Sequence, residues 1–155
     1  MPKIILTRGI QGSGKSTWAK KWVEEDPEHR VRWNNDDFNK MLGYKWIPEK
    51  ADFIANMRLD FLKSAMQKGY DIVVDNMNLD PKHLEFIRKL VNTYNSLSSS
   101  KRVYIIAIKD FFDISLEECI ERDSKRENPI GEKVITETYN RYKDLIEKLK
   151  LNGTT

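Results

Sequence analysis

Gly9, Gly12, Gly14, Lys15 and Ser16 stand at spacings that suit one kind of chemistry, the cradling of phosphate oxygens. The segment Gly9-Ile10-Gln11-Gly12-Ser13-Gly14-Lys15-Ser16 fits G-x-x-x-x-G-K-[ST]. Glycines let the backbone come close to an anion and adopt φ > 0, so that successive N–H groups point at the same oxygens. Lys15 would meet the β- and γ-phosphates of ATP as a point charge, and the Ser16 hydroxyl would ligate Mg²⁺. Thr17 would contact the α-phosphate, with Gln11 and Ser13 completing the loop.

Three further groups could act on a phosphate so bound. Asp36 belongs to the pair Asp36-Asp37, and a carboxylate within reach of an attacking hydroxyl can orient it and take its proton. One carboxylate of such a pair can instead cap a helix, a role that suits Asp37. Asp75 directly follows the apolar run Ile72-Val73-Val74, a place for a Mg²⁺-water ligand or an active-site brace. Arg126, with Arg122, lies before a loop carrying Pro129 and Gly131, where a guanidinium in a lid could bind two phosphate oxygens.

These residues need elements to hold them. Lys3-Ile4-Ile5-Leu6-Thr7 reads as a buried strand entering the glycine loop, and Trp18, Ala19, Trp22 and Val23 recur at helical spacing after it. Trp18 and Trp22 share a core face. A short strand Val31-Arg32-Trp33 precedes a helix that starts near Asp36 or Asp37, with a carboxylate as its cap. Ile54, Met57, Phe61, Leu62 and Ala65 place a long helix over Pro48 to Lys68, stopped at Gly69. Ile72-Val73-Val74 is a strand, Pro81 to about Val91 a helix, Ser96 to Ser100 a loop and Arg102 to Ile108 a strand. Helices over Ile114–Arg122 and Gly131–Lys150 close the chain, with Asn152 to Thr155 as a frayed tail. Strands alternating with helices predict an α/β fold, a four- or five-stranded parallel sheet with helices on both faces and a lid segment, in one domain over 1–155.

Composition narrows the class. Hydrophobic residues are 39% and charged residues 33%, values of a folded globular protein. A lone cysteine, Cys119, excludes an internal disulfide and is expected as a small buried residue. No apolar run reaches the roughly 18 residues of a membrane helix and no signal peptide opens the chain, so the expected location is the cytoplasm, with no membrane and no obligate protein partner. A net charge of +3 permits a polyanionic partner without demanding one. His29 and His83 lie in polar surroundings and are not expected to act. Tyr44, Lys45 and Trp46 suit base stacking beside a phosphate, or a hydrophobic staple before the next helix.

A glycine loop of this type also serves GTPases and ATPases, but no N-K-x-D is present and the length suits a small kinase. Taken in order, Lys3 to Ala19, Asn34-Asn35-Asp36-Asp37-Phe38, Asp75-Asn76-Met77-Asn78-Leu79-Asp80-Pro81 and Asp123-Ser124-Lys125-Arg126 resemble the kinase domain of the bacteriophage 5′-polynucleotide kinases. The resemblance spans nearly the whole chain and implies transfer of the ATP γ-phosphate to 5′-hydroxyl ends of RNA or DNA. It implies that Asp36 activates the hydroxyl and that Arg126, helped by Arg122, closes over ATP. The family aspartate after the third strand falls opposite Asn76, one place beyond Asp75, and the basic residue expected three places after Asp36 is Asn39, followed by Lys40. No D-x-D-G-T phosphatase motif is present. Two rival readings are a kinase for a sugar, nucleotide-sugar or antibiotic hydroxyl, and a nucleotide-dependent module without turnover.

Overall fold

The computed structural model describes residues 1–97 and 102–152. Its centre is a four-stranded parallel sheet in the order β2-β3-β1-β4, with β1 over Lys3–Arg8, β2 over Arg30–Trp33, β3 over Asp71–Val74 and β4 over Ile105–Asp110. Among the described residues six α-helices connect and follow the strands: α1 Lys15–Glu24, α2 Asn35–Met41, α3 Ala51–Lys68, α4 Pro81–Leu97, α5 Leu116–Ser124 and α6 Glu132–Asn152.

The alternation of side chains along each strand divides the core in two. Ile4, Leu6, Ile72 and Val74 face α3 and α4, where Leu62, Ala65, Met66, Ile87 and Val91 close over them. Ile5 and Val73 face the other way and meet Ala19 and Trp22 of α1. Both faces of the sheet are therefore covered, which is why its inner strands read as unbroken apolar runs. A third cluster joins Ile10 of the glycine loop and Leu79 to Cys119 of α5 and Ile135 and Ile146 of α6. It fastens the phosphate loop to the C-terminal helices.

Most sequence boundaries survive, and the exceptions have local causes. The strand expected at Arg102 starts at Ile105, because Tyr104 turns aside to donate its hydroxyl to the Tyr70 carbonyl while its backbone pairs with the Asn95 side chain. Helix α4 runs on through Ser96 to Leu97, since Tyr94 and Asn95 still have partners there; the rest of the expected serine loop, Ser98 to Ser100, lies outside the described residues. Pro48–Lys50 forms a separate 3-10 turn before α3, α5 starts at Leu116 behind the Ser115 cap, and α6 reaches Asn152. The remainder of the expected tail, Gly153 to Thr155, is also outside the described residues.

Helix α2 corrects the capping expectation. Its cap is Asn34, whose side chain accepts the Asp37 N–H at 2.8 Å, so neither Asp36 nor Asp37 caps it. Both carboxylates lie in the first turn, where the helix dipole favours them. Asn34 also donates its side-chain amide to the Asp75 carbonyl, tying the start of α2 to the end of β3.

Candidate active site

β1 ends at Arg8 and the chain turns through Gly9 to Gly14 into α1. Gly14 is the N-cap of α1 with φ 98°, and no side chain caps that helix. Its first-turn N–H groups are therefore left for an anion. Gly12, at φ 80°, sits so close beneath α5 that a Cβ there would collide with the Cys119 carbonyl. The loop thus needs glycine for its backbone path and for its seat on α5. The Gly9 N–H donates to the Met77 carbonyl at 3.2 Å, and the Gln11 amide reaches Thr138 of α6 at 3.3 Å.

Lys15 is only 8% exposed and folds back into this loop, donating to the Ile10 carbonyl at 2.8 Å and lying 3.5 Å from the buried Ser13 hydroxyl. Burial pushes its ammonium down to about 8, with Arg126 pushing the same way, while Asp75, Cys119 and Asp36 oppose the shift. Ser16 is half-buried and Thr17 is exposed on the following turn of α1.

Asp75, Asp36 and Arg126 come from distant parts of the sequence, yet all act on that ammonium. Asp75 follows β3 and is fully buried. One of its oxygens is held by Arg32 of β2 through Nε at 2.8 Å and Nη2 at 2.7 Å, while Oδ1 has no hydrogen-bond partner among the described residues. Arg32 continues to Asp37, 2.7 Å from Nη1, so one guanidinium braces both carboxylates. Burial pushes the Asp37 carboxyl up, but its hydrogen bond and charge pair with Arg32 outweigh that and leave it below the usual range. Asp36 is exposed, and among the described residues it has no ion pair. The two adjacent aspartates are thus divided by environment: Asp37 is tied to the scaffold and Asp36 is exposed and unpaired among the described residues.

Arg122 and Arg126 lie on and just after α5. Arg122 pairs with Glu118 at 2.9 Å, and its Nη1 is 3.5 Å from the point a Cβ on Gly14 would occupy. Arg126 is half-exposed and 3.7 Å from Asp123. The 125–131 segment is anchored by Asp123, a fully buried carboxylate that accepts the Ile130 and Gly131 N–H groups at 3.0 and 2.9 Å.

Several residues that shape this site were given no role from the sequence, although Asn78 and Asp123 lie within its motifs. Arg32 and Asp123 look like ordinary surface charges, and nothing local marks them for burial. Asn78 is buried at φ 49° and donates to the Thr7 and Val74 carbonyls, joining β1 to β3 below the glycine loop. A visible signal was available here, since an Asx residue in a strand-to-helix loop is among those that tolerate positive φ. Asn39 is buried and donates its amide to the Tyr44 carbonyl, while Lys40 is exposed and 3.6 Å from Asp37. Tyr44 and Trp46 are 76% and 54% exposed, which does not suit a packed staple. Trp18 and Trp22 share a core-facing side of α1 as expected, with their rings stacked, and Cys119 is buried.

A family model described as an AAA domain matches residues 4–149. The chain belongs to this family. Among curated proteins, this AAA domain is 25% identical over 152 residues to "Putative bifunctional polynucleotide kinase/RNA ligase" of Autographa californica nuclear polyhedrosis virus. The match covers 90% of the present chain and 21% of the viral protein, so the chain spans about a fifth of that relative's length. Among solved structures, a chain of the Pnkp1/Rnl/Hen1 complex superposes with a TM-score of 0.61 and 27% identity, over 78% of this chain and 38% of that one. The AAA domain thus has a P-loop α/β fold, as its sheet order and glycine loop require. Among the described residues, no helix is long and apolar enough to cross a membrane.

Proposed function

We propose that this chain is a polynucleotide kinase domain over 1–155 that transfers the γ-phosphate of ATP to the 5′-hydroxyl of RNA or DNA. The observation that carries the reading is a buried lysine, Lys15, folded into a glycine loop at the open N-terminus of α1, with the charges of Asp75, Arg126 and Asp36 all acting on its ammonium. A γ-phosphate on Lys15 would have an unpaired carboxylate, Asp36, to receive a hydroxyl proton, and a half-exposed guanidinium, Arg126, held only at 3.7 Å from Asp123, to meet the charge of transfer. The polynucleotide acceptor is supported by the likeness to the viral kinase/ligase.

In this reading, the glycine-loop N–H groups and Lys15 hold the nucleotide phosphates, with Gln11, Ser13, Thr17 and Arg122 around them. Asp36 orients the 5′-hydroxyl and takes its proton as the new O–P bond forms and the bond to ADP breaks. Arg126 stabilises the transferring phosphoryl group. Mg²⁺ would neutralise phosphate charge when bound, and Ser16 and Asp75 would hold it. The donor set fits, because Asp75 keeps one buried oxygen without a partner among the described residues and its charge acts on Lys15. Among the described residues no three acidic, His or Cys side chains cluster, so the metal would arrive with the nucleotide rather than in a protein cage.

The test is transfer of labelled phosphate from ATP to a panel of 5′-OH RNA and DNA oligonucleotides and small hydroxyl compounds, with and without Mg²⁺. Transfer to oligonucleotide ends is expected. Transfer to small hydroxyl compounds alone would overturn the acceptor assignment, and absence of any ATP consumption would overturn the kinase reading.

A further inference from the structure

We infer that Arg58 of α3, together with His83 of α4, forms an anion site that receives a phosphate of the acceptor strand; the inference rests on the polynucleotide kinase reading. Arg58 is half-buried in the middle of α3, and none of the ion pairs among the described residues includes it. Its Nε is buried without a hydrogen-bond acceptor, and its guanidinium lies 4.8 Å from the centre of the Phe86 ring. Burial lowers its pKa, and no carboxylate offsets that effect. A half-buried cation without a partner is costly, and arginine in that state is rare unless something else supplies the negative charge. The other arginines near the sheet show the contrast: Arg8 is paired with Asp110 at 2.7 Å, and Arg32 with Asp75 and Asp37.

His83 is the second unmatched group. It stands one turn before Phe86 on α4, and its Nδ1 is buried without a partner. Burial and then the Arg58 charge push its pKa down, while Asp80 opposes them. A neutral imidazole can still donate one N–H to an anion. The α4 N-terminus is not the source of this site, because Asp80 takes the Lys82 and His83 N–H groups.

Topology puts the pair at the reacting end of the sheet. α3 ends at Lys68 and turns at Gly69 directly into β3, so it runs back along the strand and its middle stands level with the strand's carboxyl end. α4 begins after the loop that leaves that end. In the same loop, Asn76 accepts the Asn35 N–H at 3.0 Å, one residue before Asp36, and its own amide nitrogen is buried without an acceptor. Asn76 thus touches the start of α2, and Arg58 and His83 stand on the helices that lead into and out of the same strand, β3. A guanidinium fork on an aromatic ring suits a phosphate, which it can bind through two oxygens.

The experiment compares parent and Arg58→Gln with labelled ATP and three acceptors: thymidine, thymidine 3′-monophosphate and a 5′-OH dinucleotide. Binding of a 5′-OH oligonucleotide without ATP is measured in parallel over a range of KCl. The parent should prefer the phosphate-bearing acceptors. Arg58→Gln should raise their KM roughly 10- to 100-fold, the loss expected for a charge-assisted hydrogen bond, while the KM values for ATP and thymidine stay in place. The slope of log K against log salt should shrink by about one. Arg58→Lys should restore part of both effects, and Arg58→Gln should melt within about 2–4 °C of the parent, since it loses the Phe86 contact but no ion pair. A loss with the dinucleotide assigns the site to the first internucleotide phosphate; a loss confined to the 3′-monophosphate assigns it to a terminal monoester. Unchanged acceptor preference in Arg58→Gln overturns the site. If the parent phosphorylates none of these acceptors, the kinase reading falls, and the salt slope alone decides: a drop of about one supports the anion site, and an equal slope or no binding overturns it.

Discussion

Asp36 and Asp37 are adjacent in the same helical turn, yet their surroundings predict opposite consequences for the same Asp→Asn exchange. Asp37 gives Oδ2 to Arg32 at 2.7 Å and lies 3.6 Å from Lys40 through Oδ1, whereas Asp36 is exposed and unpaired among the described residues. Asp36→Asn keeps shape and hydrogen bonding but cannot take a proton. Transfer should fall by roughly 10²–10⁴-fold, the contribution of a positioned general base. A loose transition state asks less of a base and favours the lower end. Thermal stability and ATP affinity should stay near the parent values. Asp37→Asn removes a charged hydrogen bond at a site whose side chain is 41% exposed, so the loss is discounted for solvent to about 1 kcal/mol. For a domain of this size that is a fall of about 2–4 °C in Tm. Since the pairing with Arg32 holds Asp37 below the carboxylate value of 3.8, its stabilisation is fully present above that pH and fades as pH falls through the folded pKa. Single-turnover transfer and calorimetric melting of the two variants read both effects. Full activity in Asp36→Asn with none in Asp37→Asn would refute the assignment of the acceptor base.

The Lys15 ammonium, at about 8 before nucleotide arrives, should be driven back up by phosphate oxygens. ATP binding above that pH should therefore take up a proton and weaken as pH rises, which titration calorimetry in buffers of different ionisation heat will detect; proton release would contradict the buried, depressed lysine. Arg126→Ala should lower kcat by about 10- to 1000-fold while changing ATP affinity little, because the proposed contact forms chiefly in the transition state; steady-state and binding measurements separate the two. Gly12→Ala should lose about 2–3 kcal/mol and most ATP binding, because the new methyl meets the Cys119 carbonyl and φ 80° is strained for alanine; a melt and a nucleotide titration check it.

The features legible in the sequence are the ones whose determinants lie close together along the chain. An apolar run, three glycines and a lysine define the β1–loop–α1 unit, because the anion cradle is made of consecutive backbone groups. The 3.6 period of Ile54, Phe61, Leu62 and Ala65 marks α3, because one helical face supplies its share of the core. The sheet was legible as parallel and covered, but its order and four strands come from the packing. What sequence could not rank were charges. Arg32, Asp123 and Arg58 are alike in a chain that is 33% charged, and nothing in their local sequence says which of them the fold draws inward or what it pairs them with. Arg32 meets Asp75 across 43 positions, and Asn34, not either aspartate, caps α2 because its amide can also reach the end of β3. The cost of burying a charge depends on which opposite charge or acceptor the fold brings within 3 Å, and that is fixed by strand order and crossover rather than by local spacing.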